Sequence, residues 1–426
     1  MRDAVTPVGI EAINLYGGSA VVDVAELAAY RKMDTARFDN LLIKQKSVAL
    51  PYEDPVSFAV NAARPLMDSL PDAEKDRIEL LITCTESGID FGKSLSTYVH
   101  HYLGLKRNCR LFEIKQACYS GTAGLQMAAN FILSRTSPGA KALVIATDIS
   151  RFLVTGDSDS LTMDFEYFEP SGGAGAVAVL VSEKPEVFEL DVGANGYYGF
   201  EVMDTCRPIP DSEVGNADLS LLSYLDCCSE TFLEYRRRVP EADYRTTFQY
   251  LCFHTPFGGM VKGAHRTMMR KFSTIKREDI ERDFQQRVQP GLTLCQRVGN
   301  IMGATVLLSL TSAIDQGTFD GPRRIGCFSY GSGCSSEFYS GVATPDGQRK
   351  LKAMNLERQL DRRHRLTMEQ YEALLEGGNA VKFGTRAATL DTHLLPAVRD
   401  SICAESAGQR LFLAEIKEFH RHYVGM

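Results

Sequence analysis

ACYSGTAGLQMAANFI, residues 117–132, and GNIMGATVLLSLTSAI, residues 299–314, read alike. In each, a polar side chain follows a small residue, more small residues come next, and an apolar helical pattern begins. The likeness extends to both sides. RIELLITCTESG (77–88) matches FQYLCFHTPFGG (248–259): an apolar strand, a polar residue, then glycine. ALVIATDIS (142–150) matches IGCFSYGSG (325–333). The spacings agree, 24 residues from Cys118 to Ala142 and 25 from Asn300 to Ile325. Such a repeat predicts two α/β halves, 1–185 and 186–426, facing each other. Loops at matching strand ends then meet at one central site. Those loops carry Glu86, Cys118, His254, Asn300 and Gly331-Ser332-Gly333.

Composition narrows the field. The chain has 426 residues, 44% hydrophobic and 24% charged, with a net charge of -7. That excludes bulk nucleic-acid binding while leaving room for a local basic patch. No apolar run reaches the length of a membrane span. The first residues lack the charged-then-apolar pattern of a signal peptide, so a cytoplasmic protein is expected. Eleven cysteines then imply free thiols. Neither C-x-x-C nor a zinc-like histidine spacing occurs, so no metal is expected.

Apolar runs alternate with helical patterns. Strands are expected at 77–87, 109–117, 141–149 and 173–183, and a helix at 92–105. Residues 192–247, rich in Gly, Pro and Asp near their start, read as a long insert or loop. The charged tail from about 345 reads as helical, with His420 and His422 on a solvated helix.

The loop residues suggest chemistry. A thiol at a helix start is expected to have a lowered pKa, favouring attack on a thioester. Small residues after it would let backbone approach a substrate. The Gly-Ser-Gly turn would offer N–H donors to a carbonyl oxygen. Glu86 ends an apolar strand, where an unpaired carboxylate is costly and seldom accidental. A lone histidine such as His254 serves packing as often as catalysis. Three such groups on three loops favour the functional reading.

These segments resemble the thiolase superfamily, and within it the 3-hydroxy-3-methylglutaryl synthases. ACYSGTAGL resembles the nucleophile segment, TCTES that of the glutamate, and FHTPF that of the histidine. PSGGAGAVAVL, GNIMGA and SYGSG match three more, in order, between about residues 8 and 345. LPYEDPVSFAVNAA, CTESGIDFGKS and GANGYYGFEVMDTCRP are most similar to the polyketide β-branching branch. The resemblance implies a duplicated five-layer αβαβα fold and a homodimer. It implies Glu86, Cys118 and His254 as catalytic residues, with Ser171, Asn300, Tyr330 and Ser332 binding substrate. In the primary-metabolism enzymes, lysines five and nine places beyond the histidine touch coenzyme A. Here those places hold Gly259 and Gly263, with Lys262 adjacent. An asparagine and a threonine of those enzymes fall on Tyr167 and Ser171. Lost nucleotide contacts suit an acetyl donor carried on the phosphopantetheine arm of an acyl carrier protein.

The implied reaction has three steps. Cys118 takes acetyl from a donor acyl carrier protein. Glu86 removes a methyl proton, and the carbanion adds to the β-ketone of a polyketide on an acceptor acyl carrier protein, polarised by His254. Water then cleaves the Cys118 thioester. No bound cofactor is required beyond the phosphopantetheine of the substrates. The alternatives are a 3-hydroxy-3-methylglutaryl-CoA synthase using coenzyme A thioesters, a decarboxylating ketosynthase, and an inactive scaffold that only binds carrier proteins. Carrier proteins usually present acidic surface, so basic docking residues are expected. Arg37, Lys44 and Lys46 form one cluster; Lys262, Arg266, Arg270 and Lys271 form another, three of them on one helical face.

Overall fold

Strands Lys141–Ile149 and Ala174–Ser182 are buried at every position. Such strands need cover on both faces. A computed structural model, describing residues 6–150, 165–209, 212–377, 381–392, 395–406 and 409–426, shows how they get it. Val144 and Ala146 enter a central core with Leu307, Leu308 and Leu310. Their neighbours Leu143 and Ile145 face an outer core with Phe58 and Ala62. In the second half Cys252 and Cys327 join the same central core, while Leu251, Phe253 and Phe328 face Phe232 and Met268. Period-2 alternation thus makes three cores between five layers. The outer helix Pro55–Asp68 covers the first strands. Helices Ser120–Ser134 and Thr305–Gln316 form the middle layer. Helices Ala217–Arg238 and Gly258–Phe272 cover the far side. This is the thiolase-like five-layer fold.

The strands themselves repeat. Nine of them run in the order Tyr250–Phe253, Arg323–Gly331, Ser335–Ala343, Phe188–Gly199, Gly9–Tyr16, Ala174–Ser182, Lys141–Ile149, Ile78–Cys84, Arg110–Ile114. In the first half, Gly9–Tyr16 pairs antiparallel with Ala174–Ser182. That strand pairs antiparallel with Lys141–Ile149, which pairs parallel with Ile78–Cys84. Phe188–Gly199, Ser335–Ala343, Arg323–Gly331 and Tyr250–Phe253 repeat the same three pairings. The two sets touch where Gly9 and Ile10 pair with Glu189 and Phe188.

Two expectations are corrected. The region 192–247 is mostly ordered: it contains the end of strand Phe188–Gly199, the strands Thr205–Ile209 and Ser212–Gly215, and a 22-residue helix. Its Gly-rich start pairs with Ser335–Ala343, and that tertiary pairing overrides weak strand propensity. Asn216 caps the helix by accepting from Leu219 N. The tail ends in a hairpin, Leu411–Lys417 with His420–Gly425, where a helix was expected for His420 and His422. Arg421 points inward between them, 6% exposed, and donates to Asp54 Oδ2 at 2.9 Å, while Tyr423 donates to the same oxygen at 2.7 Å. The tail is a packing element, with Tyr371, Phe412 and Leu413 in the first half's outer core.

Candidate active site

Cys118 lies two residues before helix Ser120–Ser134. Ala117 just before it has φ of 42°, and Gly299 just before Asn300 has φ of 88°. Both halves therefore place a left-handed bend immediately ahead of the residue the repeat puts in register, and such backbone clusters at functional sites. The small residues that follow serve packing. A Cβ on Gly121 would stand 2.1 Å from the Gly303 carbonyl oxygen. The helix starts of the two halves cross there, so the expected close approach of substrate to this backbone gives way to a close approach of helices.

Glu86 sits just past strand Ile78–Cys84. Its loop is tied down by Asp148 Oδ1, which accepts from Glu86 N at 2.9 Å, Ser87 N at 3.0 Å, Ser87 Oγ at 2.9 Å and Thr85 Oγ1 at 3.0 Å. The Cys118 thiol donates to Glu86 Oε1 at 3.6 Å. Arg207, from strand Thr205–Ile209, donates through Nη1 to the Glu86 carbonyl at 2.9 Å. Its Nη2 lies 3.9 Å from Glu86 Oε1 and 3.5 Å from Glu213 Oε2.

The electrostatics reverse one expectation. The Cys118 pKa is pushed well up, first by burial and then by Glu86, Asp148 and Glu213, against the opposing pull of Arg207. A helix start cannot offset burial beside three carboxylates. Burial, opposed in part by Arg207, pushes Asp148 and Glu213 each up to about 7. The thiol therefore needs a neighbouring base to lose its proton, and Glu86 is in reach.

His254 is 2% exposed. Its backbone N donates to Phe328 O at 2.7 Å, and its carbonyl accepts from the Tyr224 hydroxyl at 2.6 Å. Ring Nδ1 is buried with no hydrogen-bond partner among the described residues. Burial pushes its pKa down to about 3, so the ring is neutral near pH 7. Asn300 bridges the halves: its N donates to Ser171 O at 2.7 Å, and its O accepts from Gly173 N at 2.8 Å. Its Oδ1 accepts from Met302 N and Thr305 Oγ1, each at 3.0 Å. Tyr330 is 3% exposed, and its hydroxyl donates to Asp204 Oδ2 at 2.6 Å. Gly333 N donates to Asp204 Oδ1 at 2.9 Å, so this N–H, expected to face a substrate carbonyl, is engaged by the protein. Ser332 is half-buried on the turn between them.

The basic clusters meet, with changes. Helix Thr35–Leu41 packs on the start of Gly258–Phe272, where a Cβ on Gly259 would stand 2.0 Å from Asn40 O. Lys44 and Arg270 are exposed, and Arg266 is half-buried. Lys262 is paired with Glu281 at 2.8 Å and Lys271 with Glu230 at 3.6 Å. The Arg37 side chain, like that of Tyr167, lies outside the described residues. Lys46 is no surface residue: it is 2% exposed and donates to the Glu169 carbonyl and to the Tyr371 hydroxyl.

Sequence reading missed Asp148, Asp204, Arg207 and Glu213. Asp148 had a signal, since it too ends an otherwise apolar strand, as Glu86 does. The others come from the insert and had none. Among the described residues no cluster of three His, Cys, Asp or Glu is placed to hold a metal ion, and no helix is long and apolar enough to cross a membrane.

Comparison with known proteins finds relatives over nearly the whole chain. Residues 5–186 match the family "Hydroxymethylglutaryl-coenzyme A synthase N terminal", and residues 265–383 match its C-terminal counterpart. The chain is 68% identical over 415 residues to the polyketide biosynthesis 3-hydroxy-3-methylglutaryl-ACP synthase PksG of Bacillus subtilis, covering 97% of this chain and 98% of that one. It is 30% identical to the hydroxymethylglutaryl-CoA synthase of Enterococcus faecalis, over 93% and 95% of the two chains. The curacin biosynthetic pathway HMG synthase, solved in complex with acetyl donor-ACP, superposes with a TM-score of 0.94 at 62% identity, over 99% of this chain and 100% of that one.

Proposed function

The chain belongs to the hydroxymethylglutaryl-coenzyme A synthase family, and on that premise we propose that it adds acetyl, delivered by an acyl carrier protein, to the β-ketone of a polyketide on a second carrier protein. It is then a C-acyl-condensing acyltransferase of polyketide β-branching. The observation that carries the mechanism is the Cys118 thiol at 3.6 Å from Glu86 in a buried site. Glu86 takes the thiol proton as sulfur attacks the acetyl thioester, and returns it to the departing phosphopantetheine thiolate. The carboxylate, ionised again, removes a methyl proton from acetyl-Cys118. The carbanion adds to the β-ketone while neutral His254 donates a hydrogen bond to the ketone oxygen. The new alkoxide takes its proton back from Glu86. Water then cleaves the Cys118 thioester, releasing the enzyme and leaving a β-hydroxy, β-carboxymethyl thioester on the acceptor. Asn300, Ser171 and Ser332 orient the acyl groups.

Two features support a carrier-protein donor. The Asn40 carbonyl fills the space a side chain at position 259 would need, so the lysine of the coenzyme A enzymes cannot stand there. Lys44, just past helix Thr35–Leu41, and Arg266 and Arg270, on helix Gly258–Phe272 against which that helix packs, suit an acidic partner. The protein then works in the cytoplasm as a homodimer with the phosphopantetheine supplied by its substrates. Incubation with acetyl donor carrier protein, followed by intact-protein and peptide mass spectrometry, tests the reading. An acetyl group on Cys118 is expected; acetyl on no residue, or on another cysteine, overturns it.

A further inference from the structure

Tyr119 directly follows Cys118, and the second half of the chain grips it twice. Both grips come from one antiparallel pair, strands Arg323–Gly331 and Ser335–Ala343. At the end of the first strand, a Cβ on Gly331 would stand 2.5 Å from Tyr119 N and 2.7 Å from Gln116 O, so backbone meets backbone there. From the second strand, Glu337 Oε2 accepts from the Tyr119 hydroxyl at 2.7 Å. Glu337 is 2% exposed. Its Oε1 accepts from Gln126 Nε2 and from Asn195 Nδ2, each at 3.0 Å. Gln126 lies about two turns along helix Ser120–Ser134 from Tyr119, on the same face. Asn195 belongs to the neighbouring strand Phe188–Gly199. Arg238 Nη1 donates to Asn195 Oδ1 at 2.9 Å, which turns the Asn195 amide nitrogen toward Glu337. Three donors thus converge on one buried side chain, and an ionised carboxylate suits them because it only accepts. Burial raises its pKa, while the bonds from Tyr119 and Asn195 and the Arg238 charge pull it down. A buried carboxylate is costly to desolvate, and packing alone would be met by apolar side chains. What the carboxylate adds is direction: it fixes the Tyr119 hydroxyl and, one residue away, the backbone that carries the Cys118 thiol. We propose that Glu337 is a positioning residue for acetyl transfer, which through Tyr119 holds Cys118 within reach of Glu86 and of the incoming thioester. This rests on the reading of Cys118 as the nucleophile.

Single-turnover loading from acetyl donor carrier protein, followed by intact-protein mass spectrometry, separates the rate constant from the amplitude. Tyr119→Phe removes one hydroxyl and keeps the ring. It should load to the wild-type amplitude with a rate constant ~10-fold lower, because a misplaced nucleophile attacks more slowly without losing its site. Glu337→Met, similar in length but a poor acceptor, should lose at least as much. Glu337→Gln should recover part of the rate: its amide oxygen serves Gln126 and Asn195, and its amide nitrogen donates to a Tyr119 hydroxyl turned to accept. Tyr119→Phe combined with Glu337→Met should be no slower than Glu337→Met alone, since the tether is already broken. A tether that only supports the fold would lower the melting temperature or the amplitude and leave the rate constant at its wild-type value, and that result overturns the proposal. Losses that multiply in full in the double variant overturn it too. Should Glu337→Met fail to fold, Tyr119→Phe decides alone, because it keeps the carboxylate and two of its donors: a wild-type rate constant overturns the proposal. Peptide mapping of the loaded wild-type enzyme tests the premise separately. Acetyl on a residue other than Cys118 overturns the nucleophile reading itself, whatever the rates of the Glu337 variants.

Discussion

At Cys118 the thiol faces Glu86, Asp148 and Glu213, with Arg207 to offset them. Because its pKa is raised, the thiolate fraction at a given pH is below that of a free thiol, and it grows as pH rises. Alkylation of Cys118 by iodoacetamide should still be climbing at pH ~10, where a free thiol of pKa ~8.5 has levelled off. A rate already flat near neutrality would show a low-pKa thiolate. Cys118→Ala should load no acetyl, while Glu86→Gln should load it slowly, for want of a base to take the thiol proton, and condense ~10²–10⁴-fold more slowly. Condensation by Glu86→Gln at near wild-type rate would remove Glu86 from its role. His254→Ala should weaken condensation more than hydrolysis of preformed acetyl-enzyme, since the neutral ring is assigned to the acceptor ketone. Equal losses in both would give it a part in activating Cys118. The meeting of Cys118 with Glu86 was legible because each residue breaks a strong local pattern. Arg207 and Glu213 were not: they reach the site from an insert with no such pattern, and only tertiary folding brings them to Glu86.

Helix Gly258–Phe272 runs from the loop after His254 to the surface. It begins four residues after His254, packs its first turn on Asn40, and ends with Arg270 exposed. Exposed charges of this kind act on association rate and are screened by salt. Arg270→Glu should slow acetyl transfer from the donor carrier protein, with the defect shrinking as salt rises, and leave transfer from a small pantetheine thioester nearly unchanged. An equal loss with both donors would mean that Arg270 supports the site itself. The helix was legible through the spacing of its basic residues at 262, 266 and 270. Its neighbour Ala217–Arg238 was hidden because a Gly-rich stretch before it dominated the reading. Yet Tyr224, Cys227, Cys228, Phe232 and Tyr235 already carry helical spacing.

Across the whole molecule, the repeat visible in two short stretches reappears in the sheet order and in the crossing of the central helices, and the loops that carry Cys118 and Glu86 meet. The tail escaped that logic, because nothing in the repeat says where an appended hairpin docks. It closes over Asp54, which caps helix Pro55–Asp68 and also receives Arg421 and Tyr423. Arg421→Ala leaves the buried Asp54 charge without its ion pair and should cost about 3 kcal/mol in denaturant unfolding. A change near zero would make the tail a loose appendage. The central claim concerns the carbon–carbon bond, and the mass of the acceptor tests it most directly. With acetyl donor carrier protein and a β-ketoacyl acceptor carrier protein, the acceptor should gain the mass of acetic acid, one acetyl unit plus the water of hydrolysis. An acceptor that gains nothing from the acetyl donor, while malonyl donor is consumed with loss of carbon dioxide, would contradict it.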